Sequence, residues 1–598
     1  MKFHPDAHFA FTHWINDPAL KPFVWLLMKR LQEGHVCVDP SSILAEDTSA
    51  LFDGIPNLEV LTKPSPYVGT GGDIKPFIYA EGKLYLQRYY QYETRILASV
   101  KRLLDASLEQ RTARQAALLQ HADFIKALSA PVPPEASSPN ERYDWQLAAA
   151  ISASLHSIQF ITGGPGTGKT TTVAKLLAIL YETNPALRVS LAAPTGKAAM
   201  RMAESLKTTR LALTPSTREK FQELQPSTIH RLLGTKRNSI YFKHDASHPL
   251  PLDVLIVDEA SMIDMPLFAK LIDALPAHAR VVFLGDRHQL ASVEAGSLLG
   301  DFCESMPYTN GIPLSNLEII NSFIVDPGSK IPITYSQQDS HPLLGHIIEL
   351  QLSRRFQSDG GIGRLSKTII GNETEQISSF LPPTQDPAVT IDTSYRNDTL
   401  EHWVDGYAAV IAEADLREAL RKMNQFRVLV AVREGPQGLY ALNQRMEQRL
   451  MARKLIRKSS GFYAHQPIMI TQNNAALDLY NGDTGLIRMG PDNKLRAYFE
   501  DSNGEIRSVI PGYLQSVETV YAMTIHKSQG SEYDQVLVIL PNQEDLPLLT
   551  RELLYTAITR AKKHVTIQAT ESVLRYTMQQ QVNRASGIPQ RIHHLRSY

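Results

Sequence analysis

Residues 158–172 read IQFITGGPGTGKTTT. A β-branched run feeds a glycine-rich turn, and the turn opens a segment with helical periodicity. Gly163, four further residues and then Gly168-Lys169-Thr170 form the P-loop pattern, in the strand–turn–helix context that the pattern demands. Along Gly163, Gly164, Pro165, Gly166, Thr167 and Gly168 the glycines let backbone N–H groups turn inward on phosphate oxygens at a helix N-terminus. Lys169 supplies a point charge for the β- and γ-phosphates. The Thr170 hydroxyl suits Mg²⁺, and Thr171 closes the phosphate-binding set. The chain is expected to bind a nucleoside triphosphate.

Outward from this loop the pattern stays α/β from Tyr143 onward. Apolar runs at Ile158–Thr162, Val189–Ala193, Val254–Val257 and Val281–Leu284 alternate with helical stretches, the signature of a parallel, doubly wound sheet. A second set, Val428–Val432, Val536–Leu540 and Val565–Ala569, has no P-loop of its own. Two such sheets with one P-loop predict paired motor domains with nucleotide at their interface. Residues 455–515 read as short strands with turns at Asn481-Gly482-Asp483, Gly490-Pro491-Asp492 and Ser502-Asn503-Gly504, a small β insertion. Residues 236–250, KRNSIYFKHDASHPL, are polar and predict a protruding hairpin.

Upstream, residues 1–125 read as a separate helical domain. Leu20, Phe23, Val24, Leu27 and Leu31 recur at helical spacing before Gly34, and residues 84–98 pass from alternation into a helix. Tyr85, Tyr89, Tyr90 and Tyr92 in that stretch read as core or protein interface ahead of base stacking. The Pro-, Ser- and Ala-rich residues 128–140 read as a linker.

Composition narrows the setting. A chain of 598 residues exceeds one hydrophobic core. Lys+Arg and Asp+Glu each number 61, so any nucleic-acid site must be a local groove, not a global field. Cys37 and Cys303 alone exclude a disulfide framework or a cysteine zinc site and fit a reducing compartment. The opening MKFHPDAHFAFTHW has no apolar signal core, and no apolar run is long enough to span a bilayer, so the expectation is cytoplasmic with no membrane partner.

Further chemistry lies at the ends of the apolar runs. In LIVDEASM, Asp258 is placed to hold Mg²⁺ and Glu259 to orient and deprotonate water, which implies hydrolysis beyond binding. Gln289, in LGDRHQL, can donate an amide hydrogen bond to a γ-phosphate. Hydrolysis also needs cations for the transition-state charge, and Arg355 in LSRRF and Arg560 in LYTAITRA stand at element ends as candidates.

Taken in order, Gln146, GGPGTGKTT, APTGKAA (193–199), STIHRLLG (227–234), VDEASM, LGDRHQL, LSRRF, AMTIHKSQGSE (522–532) and LYTAITRAK (554–562) resemble the core motifs of superfamily 1 helicases. With GHVC (34–37), LYLQRYYQYE (84–93), VREGPQGLYALN (432–443) and LYNGDTG (479–485), the chain is most similar to the RecD family, the RecD subunits of RecBCD recombination helicase–nucleases.

The resemblance implies two RecA-like doubly wound motor domains, 126–345 and 346–598. The first carries a small 1B hairpin at about 234–250 and the second an SH3-like 2B insertion at about 455–515; a helical N-terminal domain (1–125) faces a RecC-like partner. It implies ATP with Mg²⁺, Gln146 reading adenine, Lys169 and Thr170 on phosphate and metal, and Asp258 and Glu259 as metal acid and base. Gln289 would be the γ-phosphate sensor, Arg355 and Arg560 the arginine fingers and Glu532 the ribose contact. Arg354 stands where the family-like pattern has an aromatic residue, leaving Arg354 as the alternative to Arg355. Thr195, Lys197, Thr228, His230, Thr524 and His526 match positions that touch DNA. The implied activity is 5′→3′ unwinding of duplex ends, yielding single-stranded DNA, beside RecB-like and RecC-like subunits, with nuclease activity in the RecB-like partner. The setting would be a bacterial cytoplasm with nucleoid association during repair. The second reading is a stand-alone superfamily 1 5′→3′ helicase.

Overall fold

Apolar runs without a polar face must be covered on both sides, and in this chain they line up as two parallel sheets. The computed structural model describes residues 7–45, 51–52, 56–133, 136, 138–236, 239–292, 294–338, 340–356, 360–383, 386–458, 461–474, 476–477, 479–501 and 504–595.

The N-terminal unit is mixed, which corrects the expectation of a helical domain. Helix Lys21–Gln32 buries Phe23, Val24, Leu26 and Leu27, and Gly34 (φ 91°) follows it. The unit also holds β1 (Cys37–Val38), β2 (Val68–Gly69), β3 (Phe77–Ala80) and β4 (Lys83–Leu86), in spatial order β1-β4-β3-β2. Strands this short carry no readable period. Glu81 and Gly82, both at positive φ, make the two-residue turn between β3 and β4. Helix Gln87–Gln120 then leaves β4 and lies along the first motor, where Arg114 donates to Leu155 O at 3.0 Å and Ser99 to Asp273 at 3.1 Å. Tyr85 and Tyr89 are buried in the shared core.

The first motor sheet contains β5 (Ile158–Gly163), β6 (Val189–Ala193), β7 (Pro226–Thr228), β8 (Val254–Val257), β9 (Arg280–Gly285) and β10 (Ile347–Leu350). Their order is β10-β5-β9-β8-β6-β7, parallel throughout. Strand β10 pairs with β5, Ile347 opposite Phe160, so the division placed at 345/346 falls too early. The chain completes the first sheet before crossing. The expected linker is laced to this motor: the N–H of Ala130 donates to Asp144 at 2.8 Å and that of Val132 to Asp326 at 2.9 Å. Residues 134, 135 and 137 of that stretch lie outside the described residues. At the expected hairpin, Thr235 and Phe242 make a single antiparallel bridge, and Arg237 and Asn238 lie outside the described residues.

The second motor contains β11 (Val389–Asp392) and β12 (Phe426–Val430). An insertion of β13 (Pro467–Ile470), β14 (Thr484–Met489), β15 (Leu495–Glu500), β16 (Ile506–Val509) and β17 (Val517–Thr519) follows. The motor then resumes with β18 (Ala522–Thr524), β19 (Tyr533–Ile539) and β20 (Ala561–Gln568). The motor sheet runs β11-β20-β19-β12-β18 and is parallel; the insertion runs β16-β15-β14-β13-β17 and is antiparallel. The insertion extends to Thr519, past the expected 515, because its last strand pairs with its first. Gly482 (φ 95°) and Asn493 (φ 57°) supply two of the expected turns; in the third, Ser502 and Asn503 lie outside the described residues. After helix Glu571–Gln579 the chain crosses back to the N-terminal unit, where the N–H of Val36 donates to Ala585 O at 2.8 Å.

Candidate active site

The P-loop leaves the carboxyl end of β5, between β10 and β9 in the first motor sheet, where strand ends open a crevice between the two sheets. Gly166 (φ 78°) and Gly168 (φ 88°) hold left-handed backbone, and Gly168 precedes helix Lys169–Thr183. Lys169 Nζ donates to Gly163 O at 2.6 Å and to Gly164 O at 3.2 Å, so the lysine is held by its own loop where phosphate oxygens would replace the carbonyls. Gln146 Nε2 donates to Thr167 O at 3.1 Å, which fixes it beside the loop.

Asp258 and Glu259 follow β8. The N–H of Glu259 donates to Asp258 Oδ1 at 2.8 Å, and Glu259 sits at φ 52°, a left-handed conformation that costs a glutamate roughly 1–3 kcal/mol. Burial, reinforced by the Glu259 carboxylate, pushes the Asp258 carboxyl up to about 6. Thr170, Asp258 and Glu259 line one cleft with Lys169. A hydroxyl and two carboxylates lining one cleft make an all-oxygen donor set, and a crowded carboxylate pair is relieved by a divalent cation, so the residues present fit Mg²⁺.

The opposite wall comes from the segment after β10 and from the second motor. Ser353 Oγ donates to Pro165 O at 2.8 Å and the N–H of Arg354 to Gly166 O at 2.9 Å, docking this segment on the P-loop itself. Arg355 then faces the phosphate cleft with Lys169, whereas Arg354 lines the neighbouring cavity with Tyr143 and Gln146. Arg560 is buried, its Nε donating to Thr556 O at 3.1 Å and Nη1 to Ser531 O at 3.3 Å, and it lines the same cleft as Arg355. Gln289 Nε2 donates to Asp286 Oδ2 at 3.0 Å. Among the described residues, Gln289 Oε1 and Arg355 Nη1 are buried without a hydrogen-bond partner. Such orphans are costly unless a ligand satisfies them.

Glu532, matched by resemblance to the ribose contact, accepts from Arg355 Nη2 at 2.6 Å and pairs with Arg201. Burial alone would raise its carboxyl, but Arg201 and Arg355 outweigh burial and hold it at about 2. Arg201, Asp286 and Tyr555 take part in the site without having been singled out in the sequence. Asp286 stood in plain view inside LGDRHQL; Arg201 and Tyr555 carry no local signal of their role.

The six residues matched to DNA contacts lie at strand ends or within four residues after them. Ala193 and Thr228 are register partners on adjacent strands, so Thr195 and Thr228 emerge side by side. Both hydroxyls cap helices: Thr195 accepts from the N–H of Ala198 at 3.3 Å and Thr228 from that of Arg231 at 3.2 Å. Lys197 follows in the first turn of helix Gly196–Lys207. His230 stands edge-on to Phe242 at 5.7 Å, and burial lowers its pKa. Thr524 ends β18 and is buried; His526, its pKa lowered by burial and by Arg584, lines a cleft shared with His35 and Leu290.

Two family models match the sequence that builds this site, an AAA domain over residues 146–295 and a UvrD-like helicase C-terminal domain over residues 519–567. The RecBCD enzyme subunit RecD of Mycobacterium tuberculosis strain H37Rv is 33% identical over 591 residues, covering 96% of this chain and 92% of its own. The chain belongs to the RecD family. The RecD subunit of Haemophilus influenzae is 34% identical over 553 residues, 86% of this RecD-family chain and 81% of the relative. The ATP-dependent RecD2 DNA helicase of Deinococcus radiodurans is 29% identical over 409 residues, 68% of this chain and 46% of that helicase. A solved Bacteroides Pif1 bound to single-stranded DNA superposes with TM-score 0.37 and 16% identity, covering 72% of this chain and 93% of the other. Lys169, Asp258, Glu259 and Gln289 of the RecD-family site fall in the first matched segment and Glu532 and Arg560 in the second. Arg355 lies between them, on the segment that the P-loop itself docks. No helix among the described residues is long and apolar enough to cross a membrane.

Proposed function

We propose that this chain is the ATP-driven 5′→3′ DNA helicase subunit of a RecBCD-type complex, drawing single-stranded DNA from duplex ends in double-strand-break repair. The observation that carries the reading is the convergence of Lys169, Asp258, Glu259, Gln289, Arg355 and Arg560 on one cleft between two parallel sheets.

ATP would enter with its phosphates on the P-loop N–H groups, Lys169 exchanging the Gly163 and Gly164 carbonyls for phosphate oxygens. Thr170 and Asp258 would hold Mg²⁺, which supplies charge neutralisation at the β- and γ-oxygens. Glu259 orients the attacking water and accepts its proton. Arg355 and Arg560 stabilise charge on the transferring phosphoryl group, a role worth about 10³–10⁵ in rate. Gln289 pairs with the γ-phosphate and loses that partner on hydrolysis. Because the cleft walls belong to different sheets, closure in the triphosphate state and reopening afterward shift the grip on a strand crossing both motors.

Assembly with RecB-like and RecC-like partners is favoured over stand-alone action by the extent of the likeness: similarity to a RecD subunit reaches 96% of this chain at 33% identity, that to RecD2 68% at 29%. The N-terminal unit is the part proposed to face the RecC-like subunit. Unwinding of a duplex with only a 5′ or only a 3′ tail tests the motor. The 5′ tail alone is expected to support it, and Lys169→Gln to abolish it with a loss of at least ~10² in ATP turnover. Preference for the 3′ tail, or full turnover in the variant, overturns the reading. Native co-purification tests assembly: two large partners are expected, and a monomer would favour the stand-alone alternative.

A further inference from the structure

Arg201 reaches the nucleotide cleft from helix Gly196–Lys207 of the first motor and pairs with Glu532, just before β19 of the second. The two oxygens of Glu532 are divided. Oε1 accepts from Arg355 Nη2 at 2.6 Å, and Oε2 faces Arg201, with Lys562 Nζ 3.8 Å away. One carboxylate is thus shared between two arginines, and Arg355 keeps its other amino nitrogen, Nη1, buried and without a partner among the described residues. Arg201 lines the same cleft as Lys169, Asp258 and Glu259.

We propose that Arg201 is a positioning residue for hydrolysis: by occupying one oxygen of Glu532 it limits Arg355 to a single-point contact, leaving the second amino group of that finger for the phosphate. The physical reason is the geometry of guanidinium–carboxylate pairs, which close into a bidentate fork whenever both oxygens are open. Without Arg201, Glu532 takes both amino nitrogens of Arg355 and withdraws the finger from the cleft. A purely structural role does not fit the exposures. The Arg201 side chain is 43% exposed, and ion pairs of that kind add little to folding. The pair also spans both motors, so finger placement is tied to closure of the cleft.

The proposal rests on the cleft being the ATP site, and the two ideas fail differently. Absence of ATPase in the wild-type chain overturns the site; wild-type turnover in an Arg201→Gln variant overturns only the role of Arg201. The measurement is steady-state ATPase of the full chain with saturating single-stranded DNA, for Arg201→Gln, Arg201→Lys, Glu532→Gln and the double variant Arg201→Gln/Glu532→Gln. For Arg201→Gln, kcat is expected to fall about ten-fold with KM within about two-fold and an unchanged melting temperature. Arg201→Lys should recover most of the loss. The double variant should match Glu532→Gln, since no carboxylate remains to capture Arg355. A rise in KM alone, or losses that multiply in the double variant, would overturn the proposal.

Discussion

Tyr555 Oη donates to Asp286 Oδ2 at 2.9 Å, and the same oxygen accepts Gln289 Nε2 at 3.0 Å. One carboxylate therefore joins Gln289 of the first motor, the residue proposed to sense the γ-phosphate, to helix Arg551–Ile558 of the second, which leads directly to Arg560. Burial and the Asp286 charge both raise the Tyr555 pKa, so the phenol stays a donor. A hydrogen bond to a charged group is worth about 1.5–3 kcal/mol. Tyr555→Phe is expected to lower DNA-stimulated ATP turnover about five-fold with little change in nucleotide affinity. Unaltered stimulation in an ATPase assay would show that the bond only supports packing.

A pH dependence follows from His346. Its ring stacks 3.9 Å from that of His156, and Nδ1–H donates to Ile158 O at 2.8 Å. Burial lowers its pKa to about 4. The folded state therefore keeps the ring neutral where the unfolded chain binds a proton. Stability from this group is complete above the unfolded value near 6.5 and is lost as pH falls from there toward 4. The loss at pH 5 is about 2 kcal/mol relative to pH 7.5. His346→Gln should flatten the fall in melting temperature across this range; an unchanged slope would place the dependence elsewhere.

The C-terminal crossing should be held by a buried ion pair. Glu93 is fully buried, accepts from the N–H of Gly587 at 2.7 Å, and lies 3.0 Å from Arg591. Removing one partner strands a charge in the interior, at about 3–5 kcal/mol. Arg591→Met is expected to lower the melting temperature and expose residues 580–595 to proteolysis. The paired change Glu93→Gln/Arg591→Met should recover much of the stability, and failure to recover would assign the cost to lost packing.

Gly166 tests the docking of the Arg355 segment on the P-loop. At φ 78° an alanine is strained, and its Cβ would lie 2.9 Å from both Arg355 N and Ser353 Oγ. Gly435 is the control, at φ 88° with nothing within 4 Å of the methyl that alanine would add. Both alanine variants should lose about 1 kcal/mol to backbone strain. Only Gly166→Ala is expected to lose ATP turnover, about ten-fold or more, through displacement of Arg355. Equal turnover in the two variants would refute the coupling.

Much of this architecture was readable because its causes are local. The runs around Ile158, Val189, Val254 and Val281 form parallel strands because they are apolar on both faces. Strand β10 was not readable in the same way: Ile347–Leu350 is only four residues with two partly exposed positions, and it takes its place by pairing with β5. The sheet of the N-terminal unit escaped notice for a similar reason, since β1 and β2 are two residues each.

Backbone chemistry within a few residues was settled by the order of the amino acids alone. Glycines at 166 and 168 permit the phosphate turn, Lys169 and Thr170 open the helix behind it, and Asp258-Glu259 ends a buried strand. The folded chain alone decided which arginine lines the cleft with Lys169 and which lines the neighbouring cavity, that Glu532 stands between Arg201 and Arg355, and that Tyr555 shares Asp286 with Gln289. The contacts of Glu532 with Arg355 and of Tyr555 with Asp286 join residues 177 and 269 positions apart, so their distances are set by how two sheets pack across a cleft, and no spacing along one strand or helix contains that information.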